Sequence, residues 1–278
     1  MRRVWVVGPV AWDSVYYLKK LPQPGRFEQS LRNHERPGGT AANAAIAIAS
    51  SGIDTGFVGY IGDDKLSEQL NDFLKSSYIK HLHLHHLEGK PSHVAIFIDS
   101  TGERTIIGLS QDRLDQVTLS SVDLQKGDVV VFPLWRNHFE SDLQLAKKAQ
   151  CITVVGLQAL SSNLSADVAI GSLDELDTNI DISLKLNFYS RIVVTQGSRG
   201  AVEYSKNGLK NSEALKVDAV DTTGAGDAFL AGYVTAMALE IDDSNTRLRY
   251  GNTWASRAVQ VETSIPPNWI EVKPFLID

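Results

Sequence analysis

Val4-Trp5-Val6-Val7 and Val129-Val130-Val131-Phe132 are apolar at every residue rather than at alternate ones. A strand of that kind offers no face to water and must be covered on both sides. Similar runs predict strands at 4–7, 55–60, 128–132, 152–155, 168–170 and 191–195. Helical stretches separate several of them. Residues 40–51 form a small-residue helix stopped by Gly52, residues 64–77 an amphipathic one, and residues 225–239 an almost wholly small or apolar one. Buried strands alternating with helices predict an α/β fold of three layers, with a mainly parallel central sheet between helices. Hydrophobic residues make up 43% of the 278, enough for a large core and too many for a disordered chain.

Two segments break this rhythm. Residues 14–18 with 26–35, and 93–107 around the turn Ser100-Thr101-Gly102-Glu103, alternate polar and apolar side chains, as half-exposed antiparallel strands do. They predict a small β-sheet lid, inserted at about 11–37 and 92–110 into one domain spanning 1–278. Because its halves come from distant parts of the chain, the lid is not expected to fold by itself.

Charge and cysteine content exclude several functions. With 27 Lys and Arg against 33 Asp and Glu, the net charge of −6 leaves no basic surplus for nucleic acid. The single cysteine, Cys151, rules out a disulfide framework or a Cys-rich zinc site, and its place at the start of a buried strand predicts an inert thiol. No apolar run approaches the roughly 20 residues that cross a bilayer, and the apolar run at the N-terminus is too short for a signal peptide. A cytoplasmic protein without membrane or nucleic-acid partners is the expectation.

The run Asp221-Thr222-Thr223-Gly224-Ala225-Gly226-Asp227-Ala228-Phe229 carries the clearest chemistry. It opens the apolar helix at 225, with Thr222 or Thr223 as the expected cap. Gly224, Ala225 and Gly226 would present backbone N–H groups with little side chain in the way, at a helix end that favours negative charge. Asp227, in the first turn, could then take a proton from a hydroxyl attacking a bound phosphate; otherwise it is only a helix-dipole residue. A second motif, Pro37-Gly38-Gly39-Thr40-Ala41-Ala42-Asn43, places two glycines before a helix on which Asn43 is the only strongly polar early side chain. Its amide can both donate to and accept from sugar hydroxyls. A third, Gly8-Pro9-Val10-Ala11-Trp12-Asp13, puts a carboxylate just past the first strand, either as a double acceptor for neighbouring hydroxyls or as a turn aspartate.

In this order and spacing, the three motifs resemble the ribokinase-like (PfkB-type) family of carbohydrate and nucleoside kinases. The stretches Val58-Gly59-Tyr60-Ile61-Gly62-Asp63-Asp64 and Val193-Val194-Thr195-Gln196-Gly197-Ser198-Arg199-Gly200-Ala201 extend the likeness over essentially the whole chain. The resemblance implies transfer of the γ-phosphate of ATP to a sugar hydroxyl, with Mg²⁺ and, in many members, K⁺. It implies Asp227 as catalytic base and Gly224, Ala225 and Gly226 as the anion hole. Asp13, Gly38, Gly39 and Asn43 match the sugar-binding positions. Ser172, Thr195, Gly197, Gly200 and Asn252 match the nucleotide side. Glu175 matches the Mg²⁺-linked acid, and Asp221 and Thr223 match the monovalent-cation positions. Relatives often dimerise through the lid, which implies a homodimer.

Departures from the family pattern narrow the substrate. Ser172 stands where the family's Asn-x-x-Glu motif has Asn, Ala11 and Thr40 replace residues of ribokinase, and Phe132-Pro133-Leu134-Trp135-Arg136 replaces an acidic sugar ligand. Ribose is therefore not the favoured substrate, and Arg136 is a candidate for facing an anionic substituent. A nucleoside remains open, with Trp12, Phe97 and Trp135 as candidate walls, and so does a non-catalytic sugar- or nucleotide-binding regulator. The alternate histidines of His81-Leu82-His83-Leu84-His85-His86 share a strand face but fit an edge strand better than a zinc site. Gly56-x-x-Gly59-x-x-Gly62 lacks the dinucleotide spacing.

Overall fold

The computed structural model describes residues 1–102 and 104–276, so the predicted turn residue Glu103 lies outside the described residues. The chain begins β1 (Val4–Val7), β2 (Ala11–Tyr17), β3 (Arg32–Gly38), α1 (Thr40–Ser50), β4 (Thr55–Ile61), α2 (Lys65–Lys75), β5 (His81–His86), β6 (Ser92–Ile98) and β7 (Arg104–Gly108). It continues β8 (Val129–Phe132), α3 (Glu140–Lys148), β9 (Ile152–Gly156), β10 (Ala166–Ser172), α4 (Ile182–Lys185) and β11 (Tyr189–Thr195). It closes with β12 (Ala201–Ser205), β13 (Gly208–Ser212), α5 (Ala225–Ala238), α6 (Ser244–Ala258) and α7 (Trp269–Val272).

Nine strands form one sheet in the order β13-β12-β11-β10-β9-β8-β1-β4-β5, parallel from β11 through β5. Alternation within each strand sorts its side chains between two cores. Val4, Val6, Val129 and Val131 pack with α1, α5 and α6, whereas Trp5, Val7, Val130 and Phe132 pack on the opposite face with Phe139, Leu143 and Ala146 of the α3 region. This is the three-layer arrangement that the unbroken apolar runs predict. The alternation of β12 and β13 is the exception: they pair antiparallel at the sheet edge, joined by a tight turn at Lys206-Asn207 before Gly208. Asn-Gly is a strong hairpin signal that the reading by buried runs passes over, because these edge strands are half-exposed.

The lid strands form a separate four-stranded sheet, β3-β2-β6-β7. Here β2 runs antiparallel to β3 but parallel to β6, joining the two distant segments. The predicted strand over 26–35 shifts to Arg32–Gly38, running straight into the glycine pair ahead of α1. Residues 18–31 contain only turn and irregular structure, since Pro22, Pro24 and Gly25 cannot sustain a ladder. Asp13 consequently lies inside β2, not in a turn after β1. Edge strand β5 accounts for the histidine run: His81 Nε2 lies 3.0 Å from Asp54, and His83 packs edge-on against Trp5. Among the described residues no cluster of His, Cys, Asp and Glu could hold a metal, and no helix is long and apolar enough to cross a membrane. Cys151 is buried, and burial pushes its thiol up to about 11.

Candidate active site

Helix α5 begins on a glycine, not on a threonine. Gly224 holds the cap position at φ +77, and neither Thr222 nor Thr223 caps the helix; the Thr223 hydroxyl has no hydrogen-bond partner. A left-handed backbone at the cap position suits glycine, so Gly224 takes the place expected for a threonine. A β-carbon at Gly224 would also strike the carbonyl of Ser264. The first helical hydrogen bond runs from Ala228 N–H to Gly224 C=O at 2.8 Å, so the N–H groups of Gly226 and Asp227 precede the ladder. Nothing lies within 4 Å of a β-carbon built on Gly226, so open space faces this end of the helix.

Asp227 stands at the edge of that space. Asn43 donates from Nδ2 to its Oδ2 at 2.8 Å, so the two motifs, 184 residues apart, meet in one hydrogen bond. Helix α1 brings Asn43 there by packing its alanine face against α5. Burial pushes the Asp227 carboxylate up to about 7, against the pull of Asn43 and Arg104 and with help from Asp13 and Glu175. Asp13 is almost fully buried at 4% exposure, and burial lifts it to about 6 although Arg36 and Ser264 favour its charged form. Gly38 is small because a β-carbon would fall on the Asp13 carboxylate. Gly39, at φ +100, has the backbone of Pro9, Val10 and Ala11 within 2.8 Å of where its β-carbon would be. Asp13, Gly38, Gly39, Asn43 and Asp227 therefore share one site.

The residues matched to the nucleotide side lie around the ends of β10 and β11 and the turn that follows β11. Ser172 and Thr195 are register partners at the ends of β10 and β11. Gly197, at φ +59, has open space around it, whereas a β-carbon on Gly200 would strike the carbonyl of Ser212. Asn252 spends its amide on structure, donating to the carbonyls of Ser212 at 2.8 Å and Glu213 at 3.2 Å. Glu175 accepts from Gln158 Nε2 at 3.2 Å, and burial raises its carboxyl. Arg136 is placed apart: its guanidinium pairs with Asp112 at 3.5 Å and with the carbonyl of Trp135, and no contact joins it to Asp13, Asn43 or Asp227. The candidate aromatic walls also point elsewhere. Trp135 packs on Phe132 and Phe139 in the core, while Trp12 and Phe97 alternate away from the lid face that carries Asp13.

Three residues that no motif spacing singles out complete the site. Arg104 on β7 donates from Nη1 to the carbonyl of Thr222 at 3.0 Å. Arg36 lies opposite Asp13 in the β2–β3 register, with Nη1 3.5 Å from Asp221 Oδ2. Ser264 backs both Gly224 and Pro37. The usable signal was strand alternation: Asp13 and Tyr17 share a face, Tyr17 pairs with Ile98, and Ile98 pairs with Arg104. Reading it requires the register across strands that lie far apart in sequence.

Comparison with known proteins places this architecture. The pfkB family carbohydrate kinase profile matches residues 1–271. The chain is similar to an ATP-dependent ribose-1-phosphate kinase of Halopiger xanaduensis, 28% identical over 268 residues that span 91% of this chain and 90% of that one. It is also similar to a nucleoside kinase of Methanothermobacter thermautotrophicus, at 26% identity over 99% of this chain and 96% of that protein. In structure, the fructokinase of Vibrio cholerae, solved with fructose, ADP and calcium ion, superposes with a TM-score of 0.80 at 24% identity, covering 100% of this chain and 99% of that one.

Proposed function

Because this chain belongs to the pfkB family of carbohydrate kinases, we propose that it transfers the γ-phosphate of ATP to a hydroxyl of a sugar or sugar derivative, with Asp227 as the base. One observation carries the assignment. A carboxylate oriented by Asn43 at 2.8 Å stands in the first turn of α5, beside the open space in front of Gly226. A base held near 7 is about half ionised at neutral pH and still basic enough to take a proton, which is where general-base catalysis works best.

In this reading the attacking hydroxyl lies within reach of Asp227, with its neighbours held by Asp13, Asn43 and the backbone at Gly39. As the O–P bond to the sugar forms, the hydroxyl proton passes to Asp227 and the bond to the ADP oxygen breaks. The N–H groups of Gly226 and Asp227, aligned with the helix dipole, stabilise the charge on the transferred phosphoryl group. ATP extends from there toward Thr195, Gly197 and Gly200. Glu175 and the unpartnered Oε1 of Gln158 are hard oxygen donors suited to Mg²⁺ or its water ligands. Bound there, Mg²⁺ would offset phosphate charge. Ser172 offers a hydroxyl in place of the family's amide at the same strand end.

The four-stranded sheet acts as a lid whose inner face, carrying Asp13, Arg36 and Arg104, closes on the sugar and excludes water. Its outer face, where Tyr16 stacks on Phe97 and Ile107 is exposed, is the surface through which two chains would pair. A cytoplasmic site of action, where ATP is at hand, is part of this reading.

The test is ADP release from ATP and Mg²⁺ across ketoses, aldoses, phosphorylated and acidic sugars and nucleosides. One sugar is expected to give turnover that Asp227→Asn lowers by about 10³-fold or more with ATP affinity preserved. Tight binding of sugar and ATP without product would replace the kinase by a sensor, and an unimpaired variant would remove Asp227 from the base role.

A further inference from the structure

The Asp221–Thr223 turn, which leads into the N-terminus of α5, faces a buried guanidinium. The Arg36 side chain is 9% exposed and lies between two carboxylates, with Nη1 3.5 Å from Asp221 Oδ2 and Nε 3.9 Å from Asp13 Oδ2. Its Nη1 also reaches the carbonyl of Glu262 at 3.5 Å, while Nε and Nη2 have no hydrogen-bond partner. The other oxygen of Asp221 accepts the backbone N–H of Thr223 at 2.8 Å, fixing the turn. Asp221 itself is 8% exposed, so its charge has little help from water.

A buried carboxylate of this kind needs a positive charge beside it. Many kinases of this family supply one with a bound K⁺, and the Asp221 and Thr223 positions match that use. The residues here do not fit such an ion. K⁺ needs a cage of oxygens, but the outward oxygen of Asp221, which has no hydrogen-bond partner, is confronted at 3.5 Å by a group that has only N–H donors and carries a full charge of its own. An ion ligated by Asp221 Oδ2 would sit against that guanidinium in a poorly solvated place, where like charges repel strongly. Arg36 is, moreover, tethered to the site on both sides. Its strand runs directly into Gly38 and Gly39, and its register partner is Asp13.

We propose that the Arg36 guanidinium is the fixed cation of the Asp221–Thr223 turn, taking the place of a monovalent ion, so that this kinase works without K⁺. Arg36 is then a positioning residue. It holds the turn that presents the N–H groups of Gly226 and Asp227, and it ties that turn to the lid strand bearing the sugar site. The catalytic arm of this inference rests on the proposed kinase activity; its binding arm does not.

The experiment compares the whole protein in KCl and in tetramethylammonium chloride at equal ionic strength, by melting temperature and by sugar-dependent ADP release. For the native protein the expected melting temperature agrees within about 1 °C between the salts, since an ion that bound only the folded state would raise it. Its expected rate agrees within about twofold, as no charge is left for K⁺ to supply. Arg36→Met leaves Asp221 unpaired, so in tetramethylammonium its rate should fall about tenfold or more, with K⁺ restoring part of the rate and raising the melting temperature. Arg36→Lys should stay indifferent to K⁺. A native protein that K⁺ stabilises or activates overturns the proposal. So does an Arg36→Met protein impaired equally in both salts, with only the KM for sugar raised, which would make Arg36 a substrate ligand. Should Arg36→Met fail to fold, the native melting comparison decides alone. Should no sugar be turned over, the kinase reading fails while the melting arms still judge the cation.

Discussion

The two halves of the site are built in different ways. In the proposed assignment the phosphate end is backbone: Gly224, Ala225, Gly226 and the first turn of α5 are contiguous and carry little side chain, and open space lies in front of Gly226. The proposed sugar end is side chain: Asp13, Asn43 and Arg104 come from β2, α1 and β7, with Arg36 of β3 bracing Asp13, and they meet only after the lid sheet has paired across distant segments. A backbone site needs glycine where a side chain would intrude, and little else. A side-chain site needs charges balanced in a buried place, so each group depends on the others. Asp13 at about 6 and Asp227 at about 7 are raised chiefly by burial, which the neighbouring Arg36, Ser264, Asn43 and Arg104 offset only in part.

Substituting Gly226 separates the two most sharply. It is a helical glycine with nothing within 4 Å of the position of its missing β-carbon. Gly226→Ala should therefore fold at least as stably as the native protein, gaining roughly 0.5–1 kcal/mol of helix propensity. Its methyl group would stand in the space where phosphate oxygens approach, so kcat is expected to fall about 10²-fold, as for loss of one oxyanion donor. Melting curves and steady-state kinetics on the same sample check both. Unchanged kcat would mean that the transferred phosphoryl group lies elsewhere.

That contrast also explains which parts were legible in the sequence. The parallel sheet was readable because strands buried on both faces cannot hide their Val and Ile runs, and the α5 entry because its chemistry is local. The β12–β13 hairpin escaped because half-exposed edge strands carry no such run. The threonine cap was misread because composition favours Thr at a helix start, whereas the left-handed Gly224 leaves the cap to a glycine. Arg36 and Arg104 were invisible because their neighbours, Asp221 and Thr222, lie 185 and 118 residues away and only register brings them together. Arg136 looked equally suitable as a charge in a loop, and the structure sends it to Asp112.

Arg104 probes the side-chain end at lower cost. The residue is exposed and its hydrogen bond to Thr222 crosses from lid to phosphate loop, so removing it should leave the core untouched. Arg104→Ala is expected to melt within about 1 °C of the native protein, since exposed surface changes have small effects. Its kcat/KM for sugar should fall about tenfold with the KM for ATP unchanged, because a lid contact to the loop is lost. An equal rise in both KM values would place Arg104 over the nucleotide instead.

The smallest effect tests whether strain is stored at the boundary between the halves. Asp227 ionises near its ordinary 3.8 in the unfolded chain but at about 7 in the native site. Between those values the native state keeps a proton that the unfolded chain has already released, so rising pH favours unfolding across that window and stops doing so above about 7. Asp227→Asn carries no such proton. The stability of the variant relative to the native protein should therefore rise from pH 4 to pH 7 by about 1–3 kcal/mol, less than the full shift because the carboxylate retains some solvent contact. Asp13, raised to about 6 in the native protein, titrates in both samples and largely cancels in the difference. Urea unfolding of the two proteins at matched pH measures it, and the acid limb of native kcat/KM should fall in the same window. A difference in stability that stays flat with pH would show that Asp227 titrates as an ordinary surface carboxylate. The raised carboxyl, and with it the base poised near neutrality, would then be lost from the argument.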